Sequence, residues 1–204
     1  AVHLDHGLTM ETVKQALNLG FTSVMLDASS LPFEDNISKT KQVVKLAKTY
    51  GATVEAELGV VGGSEDGSVD NEILYTNPKD AEEFCGETGI DALAVAIGNA
   101  HGNYKKAPKL AFNVLNEINQ SVSVPLVLHG GSGISDKDFQ RAISLGIRKV
   151  NIATANFNSL TKYAVEYIKN NSKCDFFGLN EAMVQGTYEN IKKHINVFRT
   201  PYEK

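Results

Sequence analysis

The feature that most constrains the fold is an alternation repeated along the whole chain. Short apolar runs, AVHL, SVMLDA, ATVEAELG, DALAVAIG, PLVLHG and KVNIAT, are each followed by a polar segment and then by apolar residues at helical spacing. Runs continuous in Val, Ile, Leu and Ala, rather than strictly alternating, belong to parallel strands covered by helices. Helix signals fall between them. Thr9 precedes Val13, Ala16 and Leu17, and Ser135 precedes Phe139, Ala142 and Ile143. Pro78 and Pro108 sit near helix starts, while Gly20, Gly51, Gly89 and Gly146 follow helices. The fold class is α/β, in six β/α units.

Within that class the choice is between an open doubly wound sheet and a closed barrel. A nucleotide-binding sheet carries a Gly-rich turn after its first strand, but HLDHGLTME offers one Gly, so the GxGxxG fingerprint is absent. Polar residues instead recur at the ends of the apolar runs: Asp5 and His6, Asp27, Glu57, His101, His129 and Asn151. Residues so placed converge on the mouth of a (β/α)8 TIM barrel. Six units are two short of eight. Because the chain opens in mid-strand without Met, its first strand is expected to be the third of the barrel. Residues 1–204 are then one N-terminally incomplete catalytic domain.

Composition sets the outer limits. With 204 residues, 42% hydrophobic and 22% charged, the chain suits one sizeable core. A net charge of −4 and scattered lysines argue against nucleic acid or an anionic membrane as partner. The apolar runs are strand-sized and no signal pattern opens the chain, so a cytoplasmic location is expected. Cys85 and Cys174 lie far apart without CxxC spacing, which reads as reduced thiols.

The chemistry is concentrated at the strand ends. His6, His101 and His129 each close an apolar run, and each precedes Gly, in DHG, AHG and LHGG. Any one of them could be a hydrogen-bonded rim residue. Three imidazoles from three strands would give a tetrahedral site with one open position, with zinc the expected ion. His3 reads as a packed, hydrogen-bonded core residue and His194 as structural. Asp5 could hold an imidazole tautomer or exchange a proton with substrate. Glu57 could bind metal or support a ligand, Glu55 could be an interior polar group, and Asp27 could join the network or cap a turn. GVVGGSEDGS, with Glu65 and Asp66, has the composition of a hinged lid or of a solvated acidic turn. HGGSGIS and NIATA offer backbone N–H groups and hydroxyls where barrel enzymes cradle phosphate.

HLDHG, VMLDAS, VEAELGVVGGSEDG, IGNAHGNYK, LVLHGGSGI and KVNIAT, in this order, closely resemble the class II, zinc-dependent ketose-bisphosphate aldolases of the fructose and tagatose type. The likeness is specific over residues 1–154 and looser beyond. It implies cleavage of a ketose phosphate to dihydroxyacetone phosphate and an aldehyde through a zinc-stabilised enediolate. By that resemblance His6, His101 and His129 are zinc ligands, and Glu57 and Asp27 belong to an alternative metal position. Asp5 is the acid acting on the aldehyde-derived oxygen, and Glu65 moves the ketose-carbon proton. Gly102, Lys105, Gly130, Gly131, Ser132, Asn151, Ala153 and Thr154 hold the sugar phosphate or a monovalent cation, Na+ or K+, beside it. The family also implies a homodimer or homotetramer at full length.

Departures from the family pattern bear on the substrate. NIATANF places Ala155 where relatives carry an acid, and the late helix puts Glu181 or a neighbour where relatives carry an arginine associated with a second phosphate. The aldehyde is therefore expected to be either glyceraldehyde 3-phosphate, as in cleavage of fructose or tagatose 1,6-bisphosphate, or an unphosphorylated aldehyde, which these departures favour. Two rival readings are a metal-dependent hydrolase barrel, for which an early HxH pair rather than HxxH is expected, and an inert fragment with a raw sheet edge.

Overall fold

The computed structural model describes residues 1–63, 74–104 and 107–199. Among them six strands alternate with helices: β1 His3–Gly7, α1 Met10–Asn18, β2 Ser23–Leu26, α2 Phe33–Lys48, β3 Thr53–Leu58, α3 Pro78–Thr88 and β4 Ala92–Val95. The chain continues through α4 Phe112–Ser121, β5 Leu126–Leu128, α5 Asp136–Ser144, β6 Ile147–Val150, α6 Thr154–Asn170 and α7 Phe176–Phe198. The strands pair in parallel in sequence order, β1 to β6. This is a sector of a TIM barrel, with β1 and β6 as its open edges among the described residues.

Local chemistry explains the boundaries. Thr9 caps α1 by accepting the Thr12 N–H at 3.1 Å, and Ser135 caps α5 by accepting that of Asp138 at 3.1 Å. Asn77 caps α3, Pro78 opens it, and Gly89 ends it in the left-handed conformation at φ 66°. Two expectations shift. Pro108 lies ahead of α4 and does not start it, and the last strand is Ile147–Val150 rather than KVNIAT, with Thr154 already in α6.

Between sheet and helices the core contains the fully buried Phe84, Leu93, Leu115, Ile118, Leu126 and Phe139. Truncating one of these aromatic rings to Ala would cost about 3–5 kcal/mol. The other face of the sheet lines the barrel interior, and there β3 places two carboxylates, Glu55 and Glu57, both buried. Strand alternation puts them on one face. No helix among the described residues is long and apolar enough to cross a membrane.

Candidate active site

In a regular strand, adjacent side chains point to opposite faces, so Asp5 and His6 should not both reach the interior. β1 departs from regularity at this point. Its register against β2 slips between Leu4 and Gly7, and His6 takes φ 45°, the one positive value among the described non-glycine residues. Such a conformation costs about 1–2 kcal/mol. In return the His6 ring comes inward beside Asp5, whose Oδ1 lies 4.0 Å from His6 Nε2.

His101 arrives by another route. It does not close a strand as expected: β4 ends at Val95, and His101 follows in the loop beyond it. Hydrogen bonds fix that loop. The fully buried Asn99 accepts the Ile97 N–H at 2.8 Å and donates to the His129 carbonyl at 3.0 Å. The His101 N–H donates to the Gly62 carbonyl at 2.7 Å. The Ala100 N–H donates to the Tyr104 hydroxyl at 2.8 Å, which donates in turn to the Gly130 carbonyl at 2.9 Å. Close approach demands glycine on both sides. A Cβ on Gly130, at φ 64°, would meet the Ala100 carbonyl oxygen at 2.2 Å, and one on Gly63, at φ 71°, would meet that of His101 at 2.5 Å.

The three rings converge, with centroids 4.6 Å (His6 to His129), 4.9 Å (His6 to His101) and 5.9 Å (His101 to His129) apart. One nitrogen of each lies within 4.8 Å of the others. His6 Nδ1 is 2.7 Å from Asp27 Oδ2, and His129 Nε2 is 2.8 Å from Glu55 Oε1. Carboxylates accept, so these outer nitrogens are the ones that carry hydrogen. The inner nitrogens, His6 Nε2 and His129 Nδ1, then face each other at 2.8 Å. Two lone pairs at that distance require a cation between them. A proton satisfies this at hydrogen-bond distance; a divalent metal, which imidazoles backed by carboxylates favour, would take the proton's place with the two nitrogens moved somewhat farther apart. Glu57 Oε2 stands 3.2 Å from His129 Nδ1, and His6, Asp27 and Glu57 form an overlapping candidate ligand group.

The titration of these groups reflects the same contacts. Burial works to lower His129, but its hydrogen bond to Glu55 and the neighbouring Glu57 carboxylate outweigh that and push it up to about 9. Burial likewise opposes the Asp27 bond at His6, which ends raised. For Asp27, burial works to raise the carboxyl, yet the hydrogen bonds from His6 and Ser29 hold it well below the usual carboxylate range.

One step deeper in the barrel lies a second polar group that the sequence reading did not assemble. Lys149 Nζ is 2.9 Å from Glu55 Oε2 and donates to Asn151 Oδ1 at 2.7 Å. Asn151 Nδ2 donates to Asp5 Oδ1 at 2.9 Å. His3 hydrogen-bonds Ser23 Oγ through Nδ1 at 2.8 Å, while its Nε2 faces Glu55 and Asp5 at 3.9 and 4.0 Å. His3 is therefore a half-buried member of this polar layer rather than a packed core residue. The available signal was period two: Glu55 precedes Glu57, and Lys149 precedes Asn151, by two residues.

The loops that follow His101 and His129, together with α6, enclose a cavity of about 370 Å³ lined by Asn103, Tyr104, Ser132, Gly133, Ala155 and Asn158. Ser132 Oγ accepts the Ala155 N–H at 2.9 Å, and the Gly131 N–H is already engaged with the Asn151 carbonyl at 3.0 Å. Ala153 stands at the N-terminus of α6 without a side-chain cap, and Thr154 begins the helix. Gly102 follows His101 directly, at φ 78°. Glu65, Asp66 and Lys105 lie outside the described residues.

Fold and site together define a barrel protein with a metal-type histidine cluster at the C-terminal mouth of its parallel strands. The family model for class-II fructose-bisphosphate aldolases matches residues 1–201, and the chain belongs to that family. It is 52% identical over 173 residues to a fructose-bisphosphate aldolase of Staphylococcus aureus, covering 85% of this chain and 60% of the relative. To that of Geobacillus stearothermophilus it is 51% identical over 168 residues, covering 82% of this chain and 58% of the relative. Among solved structures, the YdjI aldolase of Escherichia coli K12 aligns with a TM-score of 0.82 and 42% identity, over 98% of this chain and 70% of that one. A putative fructose-1,6-bisphosphate aldolase of Coccidioides immitis gives 0.88 and 34%, over 96% and 70%. The chain thus spans about 60% of the length of the curated relatives it matches.

Proposed function

We propose that the protein is a zinc-dependent aldolase that cleaves a ketose phosphate to dihydroxyacetone phosphate and an aldehyde. The observation that carries this reading is the convergence of His6, His101 and His129, one nitrogen of each within 4.8 Å of the others, with the outer nitrogens of His6 and His129 held by carboxylates. His101 completes the donor set, and Glu57 and Asp27 back it. Bound there, zinc would supply Lewis-acid stabilisation of the charge left on the ketose fragment when the carbon–carbon bond breaks.

The remaining work falls to the chain's own groups. Asp5 is 44% exposed at the mouth and can reach a bound sugar. As a carboxylate it takes the C4 hydroxyl proton during cleavage and returns it during condensation. The Asn151 amide occupies one Asp5 oxygen and leaves the other for substrate. The cavity beside Ser132 and α6 suits the phosphate of the dihydroxyacetone half, with Gly102, Gly130, Gly131, Ala153 and Thr154 shaping its approaches. Lys105 as a phosphate contact and Glu65 as the second proton carrier complete the proposal from the family resemblance.

The aldehyde half, on this reading, carries no phosphate, because Glu181, exposed on α7, or a neighbour stands where relatives carry an arginine associated with a second phosphate. Full-length protein supplied with ketose 1-phosphates and with fructose 1,6-bisphosphate tests both parts. EDTA-sensitive release of triose phosphate is expected. Metal-dependent ester or amide hydrolysis without it would overturn the aldolase reading, and a much higher kcat/KM for the bisphosphate would overturn the single-phosphate reading alone.

A further inference from the structure

Lys149 has no part in the proposed chemistry, yet it stands where two chains of contacts meet. On one side its ammonium reaches Glu55 Oε2 at 2.9 Å, and the other oxygen of that buried carboxylate accepts from His129 Nε2 at 2.8 Å. On the other side it donates to Asn151 Oδ1 at 2.7 Å, and the same amide donates to Asp5 Oδ1 at 2.9 Å. Both arms are directional. Glu55 is 3% exposed, so an ionised carboxylate there needs a partner cation and has little freedom to turn. An amide whose oxygen is claimed by an ammonium must present its NH2 on the far side, which fixes what Asn151 offers to Asp5.

We propose that Lys149 is a positioning residue whose ammonium orients the His129 ring through Glu55 and the Asp5 carboxylate through Asn151. One charge on β6 thereby registers a metal-type imidazole just after β5 against a proton carrier on β1. The inference rests on the metal-centre reading. It adds that ligand geometry and proton-carrier geometry share one control point, which neither the histidines nor Asp5 contain. Glu55 aligns the Nε2–H of His129 so that Nδ1 keeps its lone pair toward the cluster.

Cobalt(II) is a suitable probe, because its visible absorption reports ligand geometry independently of turnover. The full-length protein, stripped and titrated with cobalt(II), is compared with K149M, K149R, E55Q and K149M/E55Q. For K149M, cobalt affinity is expected to fall about tenfold or more, with an altered visible band and lower kcat at saturating metal. K149R is expected to restore most of the affinity. In the E55Q background the same lysine change should cost less than about threefold, since the arm it acts through is gone. The proposal is overturned if K149M binds cobalt within about twofold of the parent with the same band, or if its cost is equal in both backgrounds. Should K149M fail to fold, the neutral pair K149M/E55Q carries the test: affinity close to that of E55Q supports the proposal, and a further loss of about tenfold overturns it. Failure of the parent to bind cobalt would defeat the metal-centre reading itself, a result separable from either.

Discussion

Two polar clusters share the barrel mouth, and they solve their charge problems in opposite ways. The outer one gathers His6, His101 and His129; the inner one gathers His3, Asp5 and Glu55. In both, candidate ligand atoms lie within 4.8 Å of one another, so proximity alone does not distinguish them. The inner cluster has its own cation, Lys149, 2.9 Å from Glu55. A divalent ion placed there would meet a fixed ammonium. The outer cluster has facing imidazole lone pairs, and among the described residues no ammonium or guanidinium forms an ion pair with its carboxylates, Asp27 and Glu57. The inner cluster thus carries a permanent cation from the chain itself, and the outer one has room for an exchangeable cation, a proton or a metal.

The sharpest way to break this contrast is to delete one imidazole from each cluster. His129→Ala is expected to weaken zinc or cobalt binding by at least about 100-fold, beyond the usual cost of losing an outer partner. His3→Ala should change it by less than about threefold. Isothermal titration of the stripped proteins reads both, and a stoichiometry of one ion per chain is expected. Comparable losses, or a second ion, would make the clusters equivalent.

The next effect concerns the scaffold that holds His101. Gly130→Ala must place a Cβ 2.2 Å from the Ala100 carbonyl oxygen at φ 64°, so the loop or the chain after β5 has to move. A loss of at least about 2 kcal/mol in denaturant unfolding is expected. Asp27→Asn ranks below it: the amide keeps the shape but cannot hold His6 Nδ1–H as a carboxylate does, and metal affinity should fall about tenfold. Titration with a competing chelator measures this. An unchanged affinity would show that the strained backbone of His6, not Asp27, sets the ring.

How much of this was readable from the sequence depends on whether the information was periodic or a contact between distant parts of the chain. The β/α alternation, the parallel sheet, the caps at Thr9 and Ser135 and the helix start at Pro78 follow local rules, and the structure has all of them. The gathering of His6, His101 and His129 was also foreseeable, because strand ends of a barrel converge. What could not be foreseen is how two of the three get there. His6 uses a register slip that overrides strand alternation, and His101 uses a loop pinned by Asn99 and Tyr104, contacts that no local pattern encodes. Lys149 was hidden for a related reason. A lone lysine in IRKV reads as a solvated edge residue until the fold brings Glu55 beside it.

The smallest expected effect is also the one that best separates a proton from a metal in the outer cluster. Folding raises His129 from 6.5 to about 9, the hydrogen bond to Glu55 and the nearby Glu57 carboxylate outweighing the opposing effect of burial. A raised histidine contributes stability that is complete below about pH 6.5 and is lost as pH climbs through about 9. Asp27 runs the other way: its lowered carboxyl contributes above the normal carboxylate range and loses that contribution only as pH falls through its folded value. Between pH 6.5 and 9 the raised histidines, His129 and with it His6, therefore govern, and the stripped protein should lose about 5 °C or more in Tm across that interval. With saturating zinc the slope should reverse, since imidazoles must shed their protons to bind and binding tightens as pH rises. Melting curves at matched ionic strength, with and without zinc, give the two slopes directly. Parallel slopes would mean that the metal and the proton do not compete for the space between His6 and His129, and the contrast between the exchangeable and the permanent cation would fall with that result.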